Sequence, residues 1–400
     1  MRKIVLFLAA ITSLFLTSCN KEDWLEELPP NDHTMIVFMP WSSNLQSTFV
    51  ENIKDLERAV ENYQLKSCRI VVAMSTSPTE TELFEMSYYR GQAIRDKLIT
   101  YPHADFTSEA AITTLLNDIR NIVPAPRYSL IIGSHGLGWL PVSATANTRS
   151  ARRSVMHYEQ TEGPQTRWFG GITPEYQIDV TTLAKAIADV SMHMDYILFD
   201  DCYMSSVEVA YDLKDVTDYL IACPTEIMKY GFPYYQCAPY LTGTVNYAEL
   251  CNTFQSFYSS YSVPCGTIAV TDCRELDGLA AIVRDINKSF TFDKNKIAAL
   301  QTMDGYTPTM FFDFGDYISR LCEDNSLKEQ FRKQMEKVVP YKAHTPMYYS
   351  AVDNSYRTIT AYSGLTTSEP SLSRYTTDHP QTAWYQATHQ INDNQKRQND

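Results

Sequence analysis

Short apolar runs alternate with helical patterns along most of this chain of 400 residues. The clearest runs are Met35–Met39, Arg69–Met74, Tyr128–Gly133 and Tyr196–Asp200. Between them, apolar residues recur every three or four positions, as they do on one face of a helix. Continuous apolar strands that alternate with helices indicate a mostly parallel sheet that is covered by helices on both faces. The predicted fold class is therefore α/β, and the chemistry of such folds lies at the carboxyl ends of the strands.

The N-terminus has the pattern of an export signal. Arg2 and Lys3 precede an apolar run over residues 4–16, which is too short to span a bilayer comfortably. The run ends in small residues followed by Cys19, as in the lipobox of bacterial lipoproteins. We therefore predict that Cys19 is lipidated; the alternative is a plain secretory signal with a chance cysteine.

This signal divides the chain into three parts. We expect a signal peptide over residues 1–19, a polar tether over 20–33, and one domain with a C-terminal extension over 34–400. Acidic residues soon after Cys19 resemble the surface-export signal of Bacteroides-type lipoproteins. The predicted location is the outer membrane, with the domain facing the periplasm or the cell surface.

The chain is acidic, with a formal net charge of -13 at pH 7. A field of this sign disfavours binding to nucleic acid and to anionic membrane surfaces. We therefore expect no nucleic-acid partner, and contact with a membrane only through the lipid anchor.

Nine cysteines are present, and none of them forms a C-x-x-C pair or a zinc-binding spacing. Apart from Cys19 and Cys202, seven remain, an odd number that cannot all pair within one chain. Cys68 and Cys223 lie in or beside apolar strands and are predicted to be buried as small apolar side chains. We expect few or no disulfides and no metal site.

Two strand ends are followed by residues that could take part in catalysis. The strand that ends at Gly133 is followed by His135, and the strand that ends at Asp200 is followed by Cys202. A thiol and an imidazole at one sheet edge are the minimum for acyl transfer to cysteine. Gly136 has no Cβ, so its N–H and that of Cys202 are predicted to form an oxyanion hole. The alternatives are an ordinary polar turn at the histidine and an inert buried cysteine.

These residues lie in longer motifs that resemble one protein family. The motifs are HGLGW at 135–139, DYILFDDCYMSSVEVAYDLKDVTDYLIACPTEI at 195–227, GFPY at 231–234 and YSGLT at 362–366. They are similar to the clostripain family of cysteine peptidases, which shares a clan with caspases, gingipains and legumain. The resemblance extends from residue 34 to the C-terminus. It implies a caspase-like fold, the catalytic pair His135 and Cys202, and polypeptide substrates cleaved after arginine or lysine.

Two features depart from the family pattern. Members often carry an aspartate after the first strand, whereas this chain has Ser42-Ser43-Asn44-Leu45 there. The family's type enzyme is assisted by calcium, but no acidic calcium-binding loop is present in this sequence. We therefore predict no cofactor, and no sequence motif supports a calcium requirement.

Two acidic residues are candidates for reading a basic substrate. Asp200 lies two positions before Cys202, and side chains two apart on a strand share a face. It matches the acidic position two before the cysteine in clostripain-like enzymes, and a carboxylate there can pair with a guanidinium. Its alternative role is a structural acid bound to backbone N–H groups. Glu226 follows the next strand and is either a second wall of the pocket or a surface glutamate at a helix start.

The segment from Pro141 to Gln177 has little periodicity and contains Arg149, Arg152 and Arg153. Several family members are activated by a cut within the chain, so these arginines are predicted processing sites; the alternative is a flexible surface loop.

Two rival functions remain open from the sequence. One is a catalytically silent surface lipoprotein that binds peptides or glycans, and the other is a transpeptidase of the same fold.

Overall fold

A computed structural model of the protein describes residues 31–66, 68–102, 106–142 and 169–389. The part of the chain that it describes is built around one sheet of nine strands. The strands of this sheet are β1 (Thr34–Met39), β2 (Arg69–Ser77), β3 (Glu80–Tyr89), β4 (Gln92–Pro102), β5 (Tyr128–Gly133), β6 (Met194–Asp200), β7 (Thr217–Ala222), β8 (Thr267–Asp272) and β10 (Tyr341–His344). Four shorter strands form two small ribbons: β9 (Phe312–Asp313) with β13 (Thr366–Thr367), and β11 (Met347–Ser350) with β12 (Ser355–Thr358).

The order of strands across the large sheet is β10-β8-β7-β6-β5-β1-β2-β3-β4. The five central strands, β7 to β2 in that order, are parallel to one another. Antiparallel strands flank them on both sides. The predicted α/β fold with a mostly parallel centre is confirmed.

Helices connect and cover these strands. Those of the first half are α1 (Gln46–Asn62), α2 (Glu109–Ile122), α3 (Val180–Asp189), α4 (Val207–Leu213) and α5 (Tyr234–Leu241). Those of the second half are α6 (Tyr247–Ser259), α7 (Leu276–Ser289), α8 (Phe314–Leu321), α9 (Asn325–Val338) and α10 (Ala383–Thr388). Short 3-10 turns lie at Pro174–Tyr176, Cys273–Glu275, Lys294–Ala299 and His379–Gln381.

The core forms where the sequence pattern predicts it. Every residue of β1 and β5 is buried, which explains why these strands read as unbroken apolar runs. In α1, the apolar face of Phe49, Ile53 and Leu56 packs inward, as its spacing predicts. Each fully buried aliphatic or aromatic side chain of this kind contributes about 1.5–3 kcal/mol to stability.

Cys68 and Cys223 are 3% and 2% exposed, so their predicted burial is confirmed. No disulfide joins any of the cysteines within the described ranges. In the same ranges, no helix has the length and apolar character needed to cross a membrane. Cys19 and the rest of the predicted signal peptide lie outside the described residues.

Candidate active site

The two strand ends that carry the candidate catalytic residues lie side by side at one edge of the sheet. Strands β5 and β6 pair in parallel, with Gly133 opposite Asp200. His135 follows β5 by two residues, and Cys202 follows β6 by two residues. Both are buried, with 3% and 1% of their surface exposed. The structure therefore brings the predicted pair to neighbouring positions at the carboxyl edge of the sheet.

Gly136 brings the segment after β5 against the segment after β6. A Cβ atom at this position would lie 2.5 Å from the carbonyl oxygen of Cys202 and 2.8 Å from Cβ of Asp201. Both distances are too short for a real side chain, so the approach requires glycine. Because His135 directly precedes this glycine, its backbone is held beside that of Cys202.

Asn44 is a site residue that the sequence did not identify as functional. It follows β1, the strand next to β5, and its Oδ1 lies 2.8 Å from Nε2 of His135. An amide oxygen only accepts hydrogen bonds, so Nε2 carries the proton and Nδ1 is the basic nitrogen of the ring. The signal in the sequence was the position of Asn44 at the end of an apolar strand that shares this edge.

One residue, Gly170, ties the histidine segment to the segment after β1. Gly170 lies just after the stretch 143–168, and its N–H donates to Ser134 Oγ at 2.7 Å. Its carbonyl oxygen accepts from the N–H of His135 at 3.2 Å and from Ser42 Oγ at 2.9 Å. Gly170 has φ +103°, a conformation that favours glycine. The backbone of His135 is therefore fixed by residues before and after that stretch.

The thiol of Cys202 is bracketed by the segment after β7. The N–H of Ile227 points to Sγ at 3.5 Å, and Sγ lies 3.8 Å from the carbonyl oxygen of the same residue. The next residue, Tyr203, donates its backbone N–H to the carbonyl oxygen of Thr225 at 3.1 Å. The sulfur of Cys202 is therefore held between the N–H and the carbonyl oxygen of Ile227.

The two aspartates that precede this cysteine hold different parts of the site. Asp200 accepts from the N–H of Phe232 at 2.7 Å and from Tyr234 Oη at 3.0 Å. Asp201 accepts from the N–H of Ser134 at 2.6 Å and from its Oγ at 3.2 Å. Both aspartates are fully buried. The bond from the backbone N–H of Phe232 is the contact that the structural alternative for Asp200 predicts.

Glu226 is 3% exposed and the next helix begins only at Tyr234, so the surface helix-start alternative is wrong. Its oxygens accept from Tyr203 Oη, from Ser350 Oγ and from the N–H of Ala351. Burial raises the pKa of this carboxyl to about 7, and these hydrogen bonds oppose that rise. Its predicted place at the same sheet edge is where the structure puts it.

The predicted processing sites Arg149, Arg152 and Arg153, like the lipidation site Cys19, lie outside the described residues. Within the described ranges, no group of three or more histidine, cysteine, aspartate or glutamate side chains is arranged to hold a metal ion.

Comparison with known proteins gives a consistent result. The model of the clostripain family matches residues 37–395. A secreted C11 cysteine protease from Bacteroides thetaiotaomicron, "iotapain", is 47% identical, with 90% of this chain and 100% of that chain covered and a TM-score of 0.84. An inactive zymogen C11 protease from Parabacteroides distasonis is 26% identical, with 90% and 99% covered and a TM-score of 0.77.

A third solved structure is a clostripain from B. thetaiotaomicron in complex with the peptide inhibitor BTN-VLTK-AOMK. It is 52% identical, covers 56% of this chain and 100% of that chain, and has a TM-score of 0.55. No protein with a curated description matches significantly. The family match spans most of the sequence and the solved proteases share its fold, so this chain belongs to the clostripain family of cysteine proteases.

Proposed function

We propose that this protease is an endopeptidase that cleaves polypeptides after arginine or lysine, with Cys202 as the nucleophile and His135 as the proton carrier. The observation that supports this most directly is the close approach of Gly136 to the backbone of Cys202. It holds the segments that carry an imidazole and a thiol against each other, at the sheet edge where this fold class performs its chemistry.

The reaction follows from these groups. The Cys202 thiolate attacks the carbonyl carbon of the scissile bond, and a carbon–sulfur bond forms. The C–N bond then breaks, and the leaving amine takes a proton from His135. Water attacks the acyl-enzyme and gives up a proton to the same imidazole, which releases the acid and restores the thiolate. Asn44 holds the ring so that Nδ1 serves both proton transfers.

The oxyanion that forms in each step needs hydrogen-bond donors. We assign this role to the backbone N–H groups of Gly136 and Cys202, which belong to the two segments in contact. Preorganised donors of this kind typically contribute about 3–4 kcal/mol to the stability of the transition state. The glycine is needed both for this role and for the close packing behind it.

The preference for a basic residue is assigned to Asp200. Asp200 is the last residue of β6 and lies two positions before the proposed nucleophile. The 52% identical clostripain is in complex with a peptide inhibitor whose sequence, VLTK, ends in lysine. A buried carboxylate can bind an ammonium or guanidinium group strongly. Glu226 as a second wall of this pocket remains a prediction.

We also propose activation by a cut after Arg149, Arg152 or Arg153. An enzyme that cleaves after basic residues would find three such sites in this one segment. A 26% identical relative is an inactive zymogen, and the 52% identical clostripain chain spans only 56% of this chain. Both facts support a precursor that is divided on activation.

The proposed location is the outer membrane, through a lipid on Cys19. The export pattern of residues 1–19 supports this, and the 47% identical relative is secreted.

The proposed mechanism requires no cofactor. Activity that is lost in EDTA and restored by calcium would contradict the absence of a cofactor.

The test compares the wild type, Cys202→Ala and Cys68→Ala on an arginyl or lysyl reporter peptide. Cys202→Ala should abolish turnover, whereas Cys68→Ala removes another buried thiol and should retain it. Undiminished turnover by Cys202→Ala would contradict the assigned nucleophile. Transfer of the acyl group mainly to added amines, with little hydrolysis, would identify a transpeptidase instead.

A further inference from the structure

The residue after the proposed nucleophile has an unusual backbone conformation. Tyr203 has φ +62°, in the left-handed region that non-glycine residues rarely adopt. A buried aromatic residue keeps this conformation only when its surroundings enforce it. Tyr203 is 2% exposed, so the enforcing contacts lie within the protein.

Three contacts enforce the conformation of Tyr203. Its backbone N–H donates to the carbonyl oxygen of Thr225, and its hydroxyl donates to the carboxylate of Glu226. Its ring stacks on Phe311, with ring centroids 5.1 Å apart and planes tilted by 22°. Each contact comes from a segment other than that of Tyr203 itself.

The segment 225–227 makes contacts with both Cys202 and Tyr203. Thr225 accepts the N–H of Tyr203, Glu226 accepts its hydroxyl, and Ile227 directs its N–H to the sulfur of Cys202. Three consecutive residues therefore hold the turn that carries the nucleophile. A rotation of this turn would break all three contacts together.

The carboxylate of Glu226 is occupied by donors of the protein. One oxygen accepts from Tyr203 and from Ser350, at 2.9 Å for the serine, and the other accepts from the N–H of Ala351 at 2.9 Å. Ser350 ends strand β11, so Glu226 also ties that ribbon to the nucleophile turn. These bonds fix the position of the carboxylate before any substrate arrives.

We propose that Glu226 and Tyr203 are positioning residues that hold the Cys202 thiol in its reactive orientation, and that Glu226 does not read the basic side chain of the substrate. This inference rests on the proposed role of Cys202 as the nucleophile. It assigns the two acidic candidates different tasks: Asp200 selects the substrate, and Glu226 acts through Tyr203.

The two roles predict different responses to reagents with and without a basic side chain. Iodoacetamide alkylates a thiol without occupying a substrate pocket. A lysyl acyloxymethylketone reacts with the thiol and also places its lysyl side chain in the pocket. Tyr203→Phe and Glu226→Gln should slow both reactions by a similar factor, at least about fivefold. They should lower kcat more than they raise KM, and the pH profile of alkylation should move to higher pH because the thiolate is less well held.

The experiment uses the full chain, with alkylation measured on the peptide that contains Cys202 by mass spectrometry. Tyr196→Phe is the matched control, since it removes another buried hydroxyl, one that donates to the carbonyl oxygen of Leu241 at 2.9 Å. Its rates should stay at the wild-type level. A variant that unfolds is recognised by thermal melting, and Tyr203→Phe, which loses only one oxygen, then decides the question.

Two outcomes would overturn the inference. If Glu226→Gln slows only the lysyl reagent, Glu226 reads the substrate. If Tyr203→Phe and Glu226→Gln leave both reactions and the pH profile unchanged, the contacts do not position the thiol. Turnover that persists in Cys202→Ala would instead contradict the proposed function. A failure of the proposed function can therefore be told apart from a failure of the inference about Glu226 and Tyr203.

Discussion

His135 Nε2 and Asn44 Oδ1 are 2.8 Å apart, so the imidazole that follows strand β5 is oriented by an amide that follows strand β1. Neighbouring parallel strands thus supply the thiol, the ring and the group that fixes its tautomer. The order across the sheet is β6, β5, β1, which is the order of the proposed nucleophile, the proposed proton carrier and the residue that orients it. Three residues far apart in sequence form a Cys-His-Asn arrangement for this reason.

Asn44→Ala should lower kcat by roughly 10- to 100-fold with little change in KM, because a hydrogen bond to a group that becomes charged contributes about 1.5–3 kcal/mol. Asn44→Asp keeps an acceptor and should retain more activity. The measurement is steady-state kinetics on a lysyl reporter peptide. Asn62→Ala, at the exposed end of α1, is the matched control, and equal losses in Asn62→Ala and Asn44→Ala would contradict the orienting role.

Gly136→Ala should reduce activity by more than about 100-fold and lower the melting temperature, since its Cβ would lie 2.5 Å from the Cys202 carbonyl oxygen. The segment must move, and the oxyanion donors move with it. Gly278→Ala is the control, because its Cβ would meet only the end of the flexible Gln334 side chain. Wild-type activity in Gly136→Ala would show that the approach is not needed.

Asp200→Asn should reduce kcat/KM for cleavage after arginine or lysine at least tenfold, or about 1.4 kcal/mol. Tyr234→Phe removes one hydrogen bond to Asp200 without changing the charge, so it reports the structural part of the effect. A peptide library measures the preference at the cleaved position. A preference of the wild type for aspartate or for a large apolar residue would disprove the pocket assignment.

Wild-type protein should separate into two chains on a denaturing gel, whereas Cys202→Ala should stay intact. The new N-termini should be Ser150, Arg153 or Ser154, identified by N-terminal sequencing. The two pieces should co-elute on gel filtration, because β5 and β6 pair across the cut and Gly170 holds the His135 segment. A wild type that is intact and fully active would rule out activation by cleavage.

His33 should make the protein less stable in acid. Burial lowers its pKa from 6.5 to about 4, Asp195 opposes this shift, and Arg127 adds to it. Between pH 4 and pH 6.5, His33 is protonated in the unfolded chain and neutral in the folded chain. The free energy of unfolding therefore carries no penalty from His33 above pH 6.5, and it falls as the pH drops below that value.

The stability difference between pH 7.5 and pH 4.5, measured by urea unfolding, should therefore be about 2.5 kcal/mol smaller in His33→Gln than in the wild type. The exposed His193→Gln is the control. Identical pH dependence in His33→Gln and in the wild type would show that the pKa of His33 is the same in the folded and unfolded states.

The sequence predicted the buried parallel strands well, because residues covered on both faces must be apolar along their whole length. It did not predict β4, whose residues from Gln92 to Pro102 are all exposed or half-buried. An edge strand of this kind carries charges such as Arg95 and Lys97, which remove the apolar signal. Helices α5 and α6 were missed too, although their buried residues recur every three or four positions; α5 is short and has Pro239 inside it, which weakens its signal.

The site was predicted in a similar way. His135 and Cys202 stood out because each follows an apolar strand and carries a recognisable chemistry. Asn44 and Tyr203 did not, since their roles depend on partners 91 and 23 residues away and on a backbone angle. Contacts between distant segments leave no local pattern in one sequence.

Strand β1 runs in the same direction as β5 and β6, so Thr34 lies at the edge of the sheet opposite the proposed catalytic pair. A strand of six residues is about 20 Å long. Asn31, where the described part of the chain begins, donates to Thr34 Oγ1 at 2.8 Å. It therefore lies near the edge of the sheet that is about the length of β1 away from the proposed catalytic pair.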